Sequence, residues 1–165
     1  MTGGPRLRRA VVVAALALGG CAGADYVMKE TAFVAPPAPG PGETLIYVIR
    51  EESFVLSARD LQIIDNDTVR AVLTPGTFSY FTVPTGEHEI VGYISPDPIM
   101  HYRVSPRAGD VVYLLCKIGY ASGMFMEVLD ASRAQPIMAK FKYTQIDAPV
   151  KAKKDYKAYY ESLYR

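Results

Sequence analysis

From Thr44 to Leu129 the chain is a succession of short runs in which apolar and polar positions alternate with a period of two. These runs are rich in β-branched and aromatic residues and are separated by turn formers. The pattern predicts strands over 44–50, 55–59, 61–65, 68–73, 77–83, 87–95, 102–105, 110–119 and 123–129. Asp65-Asn66-Asp67 is a turn signal because Asn and Asp tolerate positive φ, so LQIID and TVRAVL form a hairpin. Thr74-Pro75-Gly76, Pro84-Thr85-Gly86 and Ser95-Pro96-Asp97-Pro98 punctuate the later runs. After Asp130 the period changes, and DASRAQPIMAKF reads as one or two helical turns with Ser132 as a cap candidate. In the tail, Tyr156, Tyr159, Tyr160, Leu163 and Tyr164 recur at the spacing of one helix face, with Lys153, Lys154, Lys157 and Glu161 on the remainder. The fold class is therefore mainly β, an antiparallel β-sandwich over residues 44–149 followed by a C-terminal amphipathic helix over 150–165.

The first twenty residues follow a different logic. Arg6, Arg8 and Arg9 precede the unbroken apolar stretch Ala10 to Leu18. That stretch is too short to cross a bilayer, which takes about 20 apolar residues, and it has the form of a signal-peptide core. Leu18-Gly19-Gly20-Cys21 resembles the lipobox of bacterial lipoproteins, an aliphatic residue and two small residues before a cysteine. The resemblance implies that residues 1–20 are a signal peptide cut between Gly20 and Cys21, and that the Cys21 thiol carries a diacylglyceryl group. Two or more acyl chains anchor stably where one is marginal. Ala22, rather than Asp, after the modified cysteine resembles the sorting pattern for the outer membrane, with the periplasmic face favoured. Residues 21–43 contain Ala35-Pro36-Pro37-Ala38-Pro39-Gly40-Pro41-Gly42, which reads as an extended tether. As a free coil, residues 22–43 would span about 26 Å; alternatively Tyr26, Met28, Phe33 and Val34 dock part of the segment on the domain.

Composition narrows the function by exclusion. Eighteen Lys+Arg against 17 Asp+Glu give no basic surplus of the kind a nucleic-acid binder gathers on one face. Two cysteines exclude a disulfide-dense scaffold and a zinc site built of several thiolates. With Cys21 blocked by lipid, Cys116 has no intrachain partner, and alternation places it with Val112, Leu114 and Ile118 on one strand face, as an inert buried thiol.

The middle of the chain resembles an uncharacterised bacterial lipoprotein family labelled domain of unknown function 2846. The matching stretches are Leu45 to Arg50, the Ile64-Asp65-Asn66-Asp67 turn, Val69 to Thr74, and Tyr80-Phe81-Thr82-Val83-Pro84-Thr85-Gly86-Glu87-His88-Glu89-Ile90. The last is similar to a strand, Pro-x-Gly, x-His, strand corner of envelope sandwiches related to the transthyretin-like fold. Asn66 and Thr85 depart from the pattern, where Gly and Pro are usual. The resemblance covers about residues 43–129 and implies a fold; the family carries no catalytic residues to transfer.

The chemistry-bearing residues are few. With the strand from Glu87 turning near Asp97 and Pro98, Ile94 faces His101 and His88 faces Arg107, which sets the two histidines about 20 Å apart and too far to share a metal. His88 is read as a corner residue whose ring bonds a turn carbonyl. Glu87 and Glu89 lie on one solvated strand face, and Asp65 and Asp67 are accounted for by their turn. Tyr102, Arg103 and Arg107 are too scattered to define an acidic-glycan site. No nucleophile elbow, zincin motif or phosphate loop occurs. The sequence thus implies a lipid-anchored envelope protein, a non-enzymatic binding or assembly module without cofactor, metal or nucleic acid. Its contact is the membrane through Cys21. The tail stripe of Tyr156, Tyr159, Tyr160, Leu163 and Tyr164 is read first as packing on the domain, second as a docking face for an envelope protein, and last as lying on a membrane surface. The alternative is an envelope hydrolase with a site near His88, Glu87 and Glu89.

Overall fold

Asn66 and Asp67 take φ values of 44° and 65°, the left-handed pair that a two-residue hairpin turn needs, and they join β3 (Leu61–Asp65) to β4 (Thr68–Leu73) as an antiparallel pair. The register slips between Ile63 and Ile64, so that Ala71 faces Ile63 and Val69 faces Ile64. Arg70 is left over on β4, a bulge that turns its side chain towards Asp65. The computed structural model describes residues 26–95, 97–121, 123–153, 158 and 161–162.

The remaining strands are β1 (Met28–Thr31), β2 (Glu43–Arg50), β5 (Thr77–Pro84), β6 (His88–Ile94), β7 (Asp97–Val104), β8 (Val111–Gly119), β9 (Gly123–Leu129), β10 (Lys142–Ile146) and β11 (Val150–Lys151). They form two sheets, one ordered β1-β10-β5-β2-β8-β9 and the other β11-β4-β3-β6-β7. The molecule is mainly β with a sandwich-like arrangement, as alternation implied. Short corners carry the chain between sheets, Thr74 to Gly76 from β4 to β5 and Thr85 to Glu87 from β5 to β6. Gly76 has φ 70°, which is why a glycine ends the first of these corners. β10 sits where the sheets approach, and Thr144 Oγ1 donates across to Val72 O at 3.0 Å.

Between the sheets lies a continuous apolar core. Ile46, Val48, Phe81, Leu114, Cys116 and Ile118 come from the larger sheet, and Leu61, Ile63, Leu73, Ile90, Ile94 and Met100 from the smaller. Both outer faces are also partly covered. Helix α1 (Ala131–Met138) lays Ala134 and Met138 on Leu45, Tyr47, Ile49 and Phe78 of the larger sheet. Across the smaller sheet, Tyr26, Met28, Ile146 and Val150 pack on Ile64, Val69, Val72, Val91 and Tyr93.

Several sequence expectations need correction. The larger sheet is mixed, because β2 runs parallel to β8 and β10 runs parallel to β5. Residues 55–59 are not a strand but a run of turns, in which Leu56 holds φ 55°. Part of the tether is docked, as the second reading of that segment had it: β1 pairs antiparallel with β10, Met28 opposite Ile146 and Thr31 opposite Tyr143. Phe33 then sets its ring edge-on to Phe78 at 5.1 Å and Tyr143 at 5.5 Å, which leaves Val34 exposed. Val150 and Lys151, where the tail helix was to begin, instead pair with Val69 and Thr68. Helix α1 runs two turns, and its cap is Asp130, whose carboxylate accepts from Arg133 N, rather than Ser132.

Candidate functional site

His88 opens β6, Asp65 closes β3, and the Pro-Thr-Gly corner brings the end of β5 back over both. The imidazole is buried, with Nδ1 at 2.8 Å from Asp65 Oδ1 and Nε2 at 2.9 Å from Pro84 O. A carbonyl oxygen only accepts, so Nε2 donates to Pro84. The second carboxylate oxygen of Asp65 lies 3.3 Å from Arg70 Nη2 and accepts from Arg70 Nε at the same distance. An Asp-His pair is two members of a hydrolytic triad, but there the Nε2 position must face a nucleophile. Here it faces a backbone carbonyl in a closed corner, the arrangement expected of a residue that pins one strand end to its neighbour.

The other titratable candidates do not converge on His88. His88 pairs with Val104 and His101 with Val91, in place of the expected Arg107 and Ile94. In this register the two histidines are about 10 Å apart along the strands and on opposite faces of the sheet. Glu87 is exposed and precedes β6. Glu89, half-buried, places Oε1 3.5 Å from Arg103 Nε and 3.7 Å from His101 Nδ1. Arg107 contributes backbone, its N donating to Asp110 Oδ2 and its O accepting from Thr44 Oγ1. Among the described residues no group of three His, Cys, Asp or Glu side chains is placed to hold a metal. Cys116 is fully buried, and burial pushes its thiol up to about 12. Gly20, Cys21, Tyr156, Tyr159, Tyr160, Leu163 and Tyr164 lie outside the described residues.

Two clusters escaped the sequence reading. At the end of β2 the Arg50 guanidinium is fully buried and donates from Nη1 to Arg59 O and Leu73 O, at 2.6 and 2.9 Å, and from Nη2 to Leu56 O at 2.8 Å. Arg59 in turn donates to Ser95 O. One cation thus gathers a loop's carbonyls, and burial lowers its pKa from the usual arginine value. Arginine at a strand end ordinarily reads as solvated, so nothing local marked it.

The second cluster is a row of tyrosines on the outer face of the larger sheet. Tyr47 is opposite both Tyr80 on β5 and Tyr113 on β8. Tyr47 and Tyr113 stack at 5.0 Å with rings 7° from parallel, and Tyr80 and Tyr143 stack at 5.5 Å. Burial raises the pKa of Tyr143, with a hydrogen bond to Tyr80 adding to it, and burial likewise raises Tyr47. Beside this row a cavity of about 380 Å³ opens between α1 and the sheet, lined by Phe33, Tyr47, Phe78, Tyr113, Gln135 and Met138. Its walls are ring faces and a thioether with one amide at the mouth, a surface suited to the flat apolar face of a ligand rather than to a charged one. The signal was present as tyrosines on separate strands, but only the β2–β5, β2–β8 and β5–β10 pairings bring them into a row.

The chain matches no family model, no curated protein and no solved structure.

Proposed function

We propose that this chain is a lipid-anchored protein of the cell envelope whose β body acts as a non-enzymatic binding or assembly module, of the lipoprotein kind that the resemblance to domain of unknown function 2846 implies. The anchor reading rests on Leu18-Gly19-Gly20-Cys21 behind a charged and then apolar leader, and with Ala22 it favours the periplasmic face of the outer membrane. Among the described residues no helix is long and apolar enough to cross a membrane. The observation that carries the binding reading is the aromatic cavity beside α1. It is an open apolar concavity with polar atoms at its rim, the usual form of a small-ligand or peptide site. The double engagement of His88 favours this reading over a hydrolase, whose base needs a ring nitrogen open to substrate.

Gln135→Arg tests the cavity. Gln135 is exposed on α1 at the mouth, so the longer cation obstructs entry while the fold is kept. Affinity capture from envelopes, by the lipidated wild type and by this variant, is expected to lose its dominant bound component with the variant at an unchanged thermal midpoint. Equal capture by both would remove the cavity from the account. A parallel chain ending at Ala152 asks whether Tyr156, Tyr159, Tyr160, Leu163 and Tyr164 contribute a second docking face.

A further inference from the structure

The chain itself shows what the outer face of the larger sheet accepts. Residues 32–42 join β1 to β2 without helix or strand and contain Pro36, Pro37, Pro39 and Pro41. Thr31 lies opposite Tyr143, which is level with Phe78, and Glu43 lies opposite Pro84, so the segment travels the length of β5. Phe33 sets its ring against Phe78, Tyr80 and Tyr143. Three and six positions on, Pro36 and Pro39 are half-buried, while Val34, Ala35, Pro37 and Ala38 between them are exposed. A repeat of three is that of the polyproline II helix, which makes no internal hydrogen bonds and leaves its carbonyls to outside donors.

The cavity beside α1 continues this surface. Phe33 and Ala35 form one wall, Gln135 and Met138 of α1 the other, and Tyr47 and Tyr113 lie on the floor between them. None of its described lining residues carries a charge, so a charged occupant would lose its water without gaining a counter-ion. The tyrosine hydroxyls and the Gln135 amide are hydrogen-bond donors, and burial raises the pKa of Tyr47, which keeps it protonated. Aromatic rings that carry proline side chains, beside donors that meet backbone carbonyls, are what grooves for polyproline segments combine. An acyl chain would leave those donors unmet.

We infer that this cavity binds an extended, uncharged, proline-rich segment of another protein, laid between residues 33–39 and α1 with its rings on Tyr47 and Tyr113. The inference rests on the reading of the cavity as a binding site and names the chemistry of its ligand. Residues 35–41 of a second copy have the same chemistry, but Pro36 and Pro39 are already half-buried on their own domain, so the segment comes from elsewhere.

The full-length lipidated protein in detergent is titrated into fluorescein-labelled decaproline, with a labelled Gly-Ser peptide of equal length as control, and binding is read by polarisation. Gln135 and Ala139 are exposed at the cavity, so an arginine at either obstructs entry without disturbing the core. Decaproline is expected to bind saturably and the Gly-Ser peptide not at all, with Gln135→Arg and Ala139→Arg each weakening decaproline by about tenfold or more. Binding that both variants leave unchanged would place the peptide elsewhere and overturn the inference, as would the absence of saturable binding up to about 1 mM. The cavity reading stands or falls separately: envelope capture lost with Gln135→Arg, alongside no decaproline binding, rejects the ligand class alone. Self-association of the wild-type chain that Gln135→Arg abolishes, read by sedimentation, would put a second copy in the cavity and likewise overturn the inference.

Discussion

Arg50 shows how much of this fold turns on one side chain. It ends β2, yet its charge is taken inside to satisfy the carbonyls of Leu56, Arg59 and Leu73. The first two belong to a loop with a left-handed leucine, a backbone state that persists only when its surroundings hold it, and the third ends β4. Arg50→Met keeps much of the volume and removes every donor. Hydrogen bonds from charged groups contribute about 1.5–3 kcal/mol each, and stranded buried acceptors cost more, so the variant is expected to lose about 3 kcal/mol or more in urea unfolding. Loss of less than about 1 kcal/mol would mean that the loop stands without its cation. Cys116 on β8, opposite Arg50 on β2, makes the contrasting case. Its thiol is neutral and fully buried, and its value is raised from 9.0 to about 12 by burial. The folded state therefore holds a proton that the unfolded state releases first. The thiol's effect on stability is nil below pH 9.0, and stability falls as pH climbs from there towards about 12. At pH 8 the native protein is expected to resist a thiol reagent until denaturant is added; rapid labelling of the folded chain at that pH would contradict the burial.

At the scale of elements, β1 is the most consequential correction. A four-residue strand ahead of a proline-rich stretch has little periodicity of its own, and what makes it a strand is the open edge of β10, which it covers. Backbone hydrogen exchange of the whole chain is expected to show protection at residues 28–31 comparable to that at 142–146, because the two strands share their hydrogen bonds. Exchange at 28–31 as fast as in a free peptide would restore the long tether. The strands with clear alternation and strong turn chemistry were legible to within a residue or two: Leu61–Asp65, Thr68–Leu73 and Gly123–Leu129 lie where the pattern put them. Their neighbours in space were not. The parallel pairings β2–β8 and β5–β10 join segments more than sixty residues apart, and no local pattern encodes such partners. Residues 55–59 alternate like a strand, but with Arg50 drawing in the carbonyls of Leu56 and Arg59 they close into turns instead. The site divides in the same way. The His88 corner was readable because Pro84, Gly86 and His88 are adjacent in sequence. The tyrosine row was not, since it exists only once four strands are in register.

For the molecule as a whole, the helix covers one outer face and the amino-terminal segment packs on the other, and the aromatic cavity beside α1 stays open to the outside. The proposed role, a binding module held at the envelope, relies on the chain being fastened at Cys21. Intact-mass analysis of the protein purified in detergent from its native envelope tests this most directly. The account expects residues 1–20 to be gone and the new amino-terminal Cys21 to carry a diacylglyceryl group, with Cys21→Ser abolishing both changes. A chain that keeps Met1, or that is cut at another position with the thiol of Cys21 free, would contradict it.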